Sequence, residues 1–402
     1  MNNMLSTFNI KEKYDVVVIG AGPGGSRTAQ LCAQKGLDVL ILEKRPEIGA
    51  PKRCAEGIEK NQLLNLGFEE NEKFIAQTID RSIVYTISGE EIKQDSDKKK
   101  GYILERKLFD KAMASKAAIS GAKILVNTEV IDLIKEDNYI CGVNIEYNGK
   151  TYKIKSDVVV SAEGVEGKRV KEVLNLSPPK SNEIMSGYQY EMENIDLKDP
   201  HQLEFFIGAT IAPGGYIWIF PKGEKRANVG IGILSNCEKS AKYYLDAWIS
   251  NKSSLQIGSI LEENAGAIPV GGFLKKMTTN GFLAIGDAAR QVHPLHGGGL
   301  HEATYAAKIA AKVICEAKSE NNYSDNFLDK YNKMWWNERG KELSCVNKIK
   351  NAFQKMSDEE LNLIFHLIKA TSINHLNSGN LIEISKLLLK TPKLIKFSKY
   401  LL

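Results

Sequence analysis

Tyr14-Asp15-Val16-Val17-Val18-Ile19-Gly20-Ala21-Gly22-Pro23-Gly24-Gly25, continued through Ser26 to Val39-Leu40-Ile41-Leu42-Glu43, is the stretch that decides the fold. Its first six residues are mostly apolar and β-branched, which reads as a buried strand. Glycines at 20, 22 and 25 then fit G-x-G-x-x-G, with a helix expected from about Ser26 to Lys35 and a second strand ending on Glu43. In such a unit Gly20 permits a tight turn, Gly22 lets a pyrophosphate approach the backbone, and Gly25 brings helix and strand together. The free N–H groups of the helix N-terminus face the phosphates, and a carboxylate at 43 can accept bonds from both ribose hydroxyls. The unit predicts a bound dinucleotide.

Around that unit the chain is ordinary. It has 402 residues, 43% hydrophobic and 26% charged, enough for two or three packed units of a globular enzyme. A net charge of +5 is too mild to argue for nucleic acid. Cysteines at 32, 54, 141, 237, 315 and 345 show no CxxC pairing, so neither a zinc site nor a disulfide framework is indicated, and an intracellular, reducing setting is expected. No apolar run approaches the length that spans a bilayer. Met1–Lys13 lacks an apolar signal core and reads as a short leader, so a cytoplasmic or membrane-peripheral protein is expected.

Strands are expected near Ile83–Ile87, over Lys123–Val126, in a hairpin from Thr128 through Ile154, and separately over Asp157–Ala162. A helix opens at Arg106, and Asp95–Lys100 reads as a charged surface turn. From Glu183 to about Pro269 aromatic-rich alternation predicts a mostly antiparallel sheet. Gly281–Asp287 returns as strand plus turn, followed by Gly297-Gly298-Gly299, a helix from Leu300 to about Ala317, and helices to the end. The expected fold is α/β with an inserted α+β domain. A Rossmann-like nucleotide-binding domain (1–80, 101–175 and 275–320) is split by a sheet domain (81–100 and 176–274), and a helical region follows (321–402).

Gly286-Asp287-Ala288-Ala289-Arg290 adds a second carboxylate-bearing turn far along the chain. One such unit suffices for NAD, whereas two suggest FAD extended between them. The opening GAGPGG with Glu43, SAEG at 161–164 and GDAAR at 286–290 resemble, in order, the fingerprints of the FAD-dependent family that includes p-hydroxybenzoate hydroxylase. The middle one departs, with Glu163 where that family usually has Asp, so Glu163 is left out of the cofactor set.

Within that group the chain resembles the geranylgeranyl reductases, notably the archaeal digeranylgeranylglycerophospholipid reductases. Four stretches carry the resemblance: Glu43–Gly49 with Arg53–Ile58, Glu105–Asp110, Pro213–Pro221 with Gly230-Ile231-Gly232, and Gly286-Asp287 through Gly297–Leu300. The third matches the family's Y-x-W-x-F-P…G-x-G pattern. The resemblance implies FAD contacts at Gly24, Glu43, Cys54, Ala55, Gly57, Arg106, Val130, Asp287, Gly299 and Leu300. Val130 would contribute backbone only, toward the adenine, and Arg106 a cation for phosphate or ribose.

Several residues admit two readings. Cys54 is either a small buried hydrophobe or the flavin's neighbour, with Arg53 able to lower its pKa. Tyr216, Trp218 and Phe220 alternate and so share one strand face, either as domain core or as an apolar wall for an isoprenoid chain. Among His293, His296 and His301, a loop histidine beside a flavin could shuttle protons, while metal ligation lacks a carboxylate or cysteine at ligand spacing. His201, His366 and His375 read as structural. In the tail, Lys386, Lys390, Lys393, Lys396 and Lys399 recur between apolar residues, with Thr391-Pro392 as a helix restart. That is either an ordinary surface helix or a basic amphipathic helix for an anionic membrane.

The expected activity is therefore an FAD reductase saturating C=C bonds of geranylgeranyl chains in archaeal ether-lipid precursors, with Cys54 as a candidate acid. Without a second G-x-G-x-x-G unit, its electron donor is external: reduced ferredoxin, a deazaflavin coenzyme or NADPH. An FAD monooxygenase of the same superfamily is the alternative. An electron carrier would usually bring iron–sulfur ligands, which the dispersed cysteines do not supply.

Overall fold

The computed structural model describes residues 10–70, 72–95, 101–370 and 381–400. The opening stretch builds the centre of the larger sheet. Lys13–Ile19 lies between Val39–Leu42 and Lys150–Ser161, parallel to both, and the order continues to Lys123–Leu125 on one side and Phe282–Ala284 on the other. Val16, Val17, Val18, Leu40, Ile41, Val158, Val159 and Val160 are fully buried, as strands covered on both faces require. The helix Pro23–Ala33 packs on this sheet beside the long helix Leu300–Ser319. It starts three residues earlier than expected, because Pro23 at the first helical position already has the right φ and needs no N–H partner.

Two expected strands prove to be one. Lys150–Ser161 pairs antiparallel with Tyr139–Tyr147 over its first half, and parallel with Lys13–Ile19 over its second. The hairpin Thr128–Tyr147 is thereby an annex of the nucleotide-binding sheet. Of the charged turn at Asp95–Lys100, Asp95 ends a strand, Glu91–Asp95, and 96–100 lie outside the described residues.

The second sheet has seven strands among the described residues, in the order Ser259–Pro269, Ile184–Glu193, Arg226–Leu234, Tyr216–Pro221, Gln202–Ile207, Arg81–Thr86, Glu91–Asp95. Its pairings are antiparallel except one, Gln202–Ile207 beside Arg81–Thr86. One face buries Ile217, Ile219, Val229 and Ile231 under the helix Ala241–Ile249. At its far edge Val84, Ile92 and Ile207 meet the C-terminal helices, whose own core includes Ile349, Ile364, Phe365, Ile384, Leu388 and Phe397. A small third sheet, Gly57–Glu59, Gly101–Leu104 and Ile75–Ile79, joins the two.

The tail helix Leu381–Lys390 stops before Thr391-Pro392, and a 3-10 turn over Ile395–Tyr400 follows in place of the expected second helix. Its apolar side chains Ile384 and Leu388 face inward, while Lys386, Lys390, Lys393, Lys396 and Lys399 face solvent.

Candidate active site

The glycine loop separates what the protein needs from what a ligand needs. A Cβ at Gly25 would stand 2.0 Å from the Gly20 carbonyl oxygen, and one at Gly20 (φ +100°) 2.5 Å from that of Ala162. Both glycines are therefore dictated by packing. Gly22 is different: its φ of −66° suits any residue, and a Cβ there would meet nothing within 4 Å. No protein contact explains a glycine at 22, whereas a pyrophosphate lying on the helix N-terminus does. Glu43 closes the loop from below, accepting from Ala21 N at 2.9 Å and Arg45 N at 3.0 Å. These residues fit a dinucleotide.

The late turn lies beside this loop. A Cβ at Gly24 would approach Ala303 at 3.3 Å, and one at Gly299 would stand 2.9 Å from Asp287 Oδ1, so the two helix N-termini adjoin with Asp287 between the segments. Burial pushes the Asp287 carboxyl up to about 6, against the pull of the Arg106 guanidinium. Among the described residues no protein donor bonds that carboxylate, which suits a group that takes ligand hydroxyls.

Arg106 starts the helix Arg106–Ile119 and is clamped by Asp110 at 2.8 and 3.0 Å. Burial opposes its charge, but Asp110, the Cys54 thiol and Glu56 hold it firmly cationic. Of the two nearby cations, Arg53 pairs with Glu166 (3.7 Å), and Arg106 interacts electrostatically with the Cys54 side chain. Cys54 is half-buried, and its Sγ accepts the Glu56 N–H at 3.2 Å.

Tyr216, Trp218 and Phe220 form a continuous row, with ring centroids 5.8 and 6.4 Å apart along the strand. Ile217 and Ile219 enter the core under the helix Ala241–Ile249, and the aromatics take the opposite face, where Trp218 is also buried. Phe220 lies against Gly57, where a Cβ would be 3.4 Å from its ring, and Tyr216 donates to the His296 carbonyl at 2.6 Å. Burial and the nearby Cys54 thiol both raise the Tyr216 phenol well above its ordinary value. The wall thus faces both the Cys54 turn and the late glycine loop. Phe205, missed in the sequence, extends it across the next strand, edge-on to Tyr216 (5.7 Å) and Phe220 (5.4 Å). Only the strand register, which sets Phe205 opposite Trp218, reveals it.

Other residues stand elsewhere. Val130 points its side chain into the nucleotide-binding core, opposite Ile145. Glu163 accepts from Ser161 Oγ and Arg169 N, so it caps local structure, with burial raising its carboxyl. His293 and His296 stack at 3.7 Å. Burial first, then neighbouring cations and histidines, lowers them to about 2 and about 4, so both are neutral near pH 7. His201 bonds the Thr78 carbonyl and His366 pairs with Glu90, while His375 lies outside the described residues. Also missed was a buried charge cluster behind the Cys54 turn. Lys222 reaches Glu56 and Glu105 at 2.8 Å and Glu191 at 3.0 Å, and Lys52 reaches Glu191 at 2.5 Å.

Comparison with known proteins agrees with this geometry. Residues 15–165 match the model of FAD dependent oxidoreductases, 183–268 that of the geranylgeranyl reductase catalytic domain, and 272–389 that of squalene epoxidase. The digeranylgeranylglycerophospholipid reductase of Methanocaldococcus jannaschii is 38% identical over 98% of this chain and 99% of its own length. That of Methanopyrus kandleri is 36% identical over 97% and 100%. A geranylgeranyl bacteriochlorophyll reductase-like protein from Thermoplasma acidophilum superposes with a TM-score of 0.90, at 34% identity over 97% of this chain and all of that one. The myxobacterial chondrochloren halogenase (TM-score 0.72, 20% identity, 90% and 91% covered) shares the fold alone. With the glycine loop, the Asp287 turn and the aromatic wall in place, this chain belongs to the family of the digeranylgeranylglycerophospholipid reductases.

Proposed function

We propose that this chain is an FAD-dependent reductase that saturates C=C bonds in the geranylgeranyl chains of ether-lipid precursors. The observation that carries it is the wall of Phe205, Tyr216, Trp218 and Phe220, turned toward the Cys54 turn and the late glycine loop instead of the domain core. Such a face suits the flexible polyene chain of a lipid. A monooxygenase is not favoured, since the geranylgeranyl reductase catalytic model covers the strands that build this wall.

Gly20, Gly22, Gly24 and Gly25, Glu43, Arg106, Asp287, Gly299 and Leu300 would hold FAD, with Cys54, Ala55 and Gly57 beside its reactive end and the Val130 main chain toward the adenine. An isolated alkene has no carbonyl to absorb charge, so reduction delivers a hydride to one carbon and a proton to the other. Reduced FAD supplies the hydride. The chain's own part is to lay the alkene on the aromatic wall, exclude water and hold the proton. Cys54 Sγ is the proton holder we assign, because the aromatic wall packs against the turn that carries it. The electron donor is external, whether reduced ferredoxin, a deazaflavin coenzyme or NADPH.

No helix among the described residues is long and apolar enough to cross a membrane. Contact with the lipid surface is assigned to the tail, where exposed Leu389 and Ile395 stand among Lys386, Lys390 and Lys393.

The decisive experiment is anaerobic. Dithionite-reduced holoenzyme is mixed with digeranylgeranylglyceryl phospholipid, and flavin reoxidation is followed with product mass. Reoxidation with a gain of two hydrogens per bond is expected, and its absence sinks the reading. Unchanged single-turnover reduction in Cys54→Ala would remove the thiol from the mechanism.

A further inference from the structure

Three successive carbonyls of the Cys54 turn are each bonded to another part of the chain. The Cys54 carbonyl accepts from Gln189 Nε2 at 3.2 Å, the Ala55 carbonyl from Asn228 Nδ2 at 3.3 Å, and the Glu56 carbonyl from Leu104 N at 2.9 Å. Glu56 itself sits at φ +77°, a conformation disfavoured for glutamate, and is 1% exposed. Its carboxylate accepts from Arg106 N (2.8 Å), Asn228 Nδ2 (2.7 Å) and Lys222 Nζ (2.8 Å). Burying so many charges costs desolvation that an apolar junction of the same shape would avoid. What the polar junction adds is a fixed placement of the turn.

Gln189 has a second bond. Its Oε1 accepts from Trp218 Nε1 at 3.0 Å, although another strand lies between them. Gln189, Gly230 and Trp218 stand in line across three strands, and a Cβ at Gly230 would sit 2.4 Å from the Trp218 ring. The indole therefore lies across the glycine to reach Gln189. One buried amide, with both ends occupied, joins the substrate wall to the turn that carries the thiol.

We infer that Gln189 is a positioning residue which, through Trp218 Nε1–H and the Cys54 carbonyl, locks the alkene-binding wall and the Cys54 turn into one unit, with Asn228 and Glu56 bracing the turn behind it. The inference rests on the reductase reading for its purpose, but not for its main readout. In FAD-loaded protein without lipid, alkylation of Cys54 by iodoacetamide is followed by peptide mass mapping, with exposed Cys345 as internal control. Gln189→Leu should raise the Cys54 rate about tenfold, the scale of one lost hydrogen bond, and leave Cys345 unchanged. It should lower kcat for the lipid by a similar factor, with KM within about threefold. Trp218→Phe keeps an aromatic ring, though a smaller one, and loses the N–H donor, and should raise the Cys54 rate too. The double variant should react no faster than Gln189→Leu alone, because both remove the same link. An unchanged Cys54 rate in Gln189→Leu, or effects that multiply in the double variant, would overturn the inference. Should Gln189→Leu fail to fold, an unchanged rate in Trp218→Phe overturns it equally. Absence of lipid turnover in the parent protein would count against the reductase reading alone, since alkylation is measured without lipid.

Discussion

The two ends of this site are built in different ways. At the nucleotide end, Gly20, Gly22, Gly25 and Glu43 belong to one strand–helix–strand unit and are held mostly within it, with Ala162 of the neighbouring strand as the outside contact. At the reacting end, the Cys54 turn, the Tyr216–Phe220 strand, the Asp287 turn and the Gly299 loop come from distant segments, and side-chain bonds between elements join them. The first end is a local consequence of backbone geometry. The second exists only in the finished fold, so each should fail in its own way.

The largest effect is expected at the local end. Gly25→Ala puts a methyl 2.0 Å from a main-chain oxygen that cannot move without opening the turn. It should destabilise the protein by about 3 kcal/mol, the upper range for overpacking, and abolish retention of FAD through gel filtration. Gly22→Ala meets no atom within 4 Å, so its unfolding midpoint should match the parent to within about 0.5 kcal/mol. FAD affinity alone should fall, by about tenfold or more. Equal losses of stability in the two variants would break the distinction between packing and ligand glycines.

The reacting end should show the reverse. Gly230→Ala drives a methyl into the Trp218 ring at 2.4 Å and swings the indole off Gln189. FAD binding should persist, while turnover falls by about a hundredfold, as displacements near 1 Å cost in positioned reactions. Titration of flavin fluorescence beside lipid-reduction assays separates the two effects.

This contrast also explains what could be read from the chain. The parallel strands, the glycine turn and the one-faced aromatic row follow from short-range pattern, and all stand where the pattern put them. The single strand Lys150–Ser161 was read as two, because its exposed first half alternates and its second half is buried on both faces. Arg53 adjoins Cys54 in sequence, yet its guanidinium pairs with Glu166, since consecutive residues in an irregular turn need not face the same way. Glu56 and Asn228, 172 residues apart, could not be paired from sequence. Nor could Gln189, whose partners lie 135 and 29 residues away. A buried polar residue shows its purpose only once its partners are known.

Asp287 stands where the two ends meet, and its titration sharpens the comparison. Burial, opposed by Arg106, raises its folded-state value from 3.8 to about 6. An acid raised on folding binds its proton more tightly when folded, so the stability it contributes is complete below pH 4 and is lost as pH rises toward 6. In FAD-free protein, Asp287→Asn should therefore remove that decline and raise stability at pH 7 by about 2 kcal/mol, discounted for partial solvent access. Urea unfolding at pH 4 and pH 7 measures it. The same variant should bind FAD more weakly, the usual exchange of stability for function at a site.

The smallest functional effect is expected at Val130, implied as a cofactor contact by family resemblance. Its side chain is 6% exposed, inside the core of the larger sheet and opposite fully buried Ile145. The main chain nearby is tied to the end of the strand Val39–Leu42, since Thr128 N donates to the Glu43 carbonyl at 2.8 Å. Only the backbone at 130 can therefore serve the cofactor, and truncating the side chain should leave that backbone in place. Val130→Ala should destabilise the fold by about 1–2 kcal/mol, the cost of losing two buried methylene equivalents, while FAD affinity stays within about twofold. Gly22→Ala and Val130→Ala then form opposite halves of one test: the first spares stability and costs affinity, the second spares affinity and costs stability. A large loss of FAD binding in Val130→Ala would mean that the side chain, and with it the sheet core, reaches the adenine, and that the nucleotide end is less local than its glycines suggest.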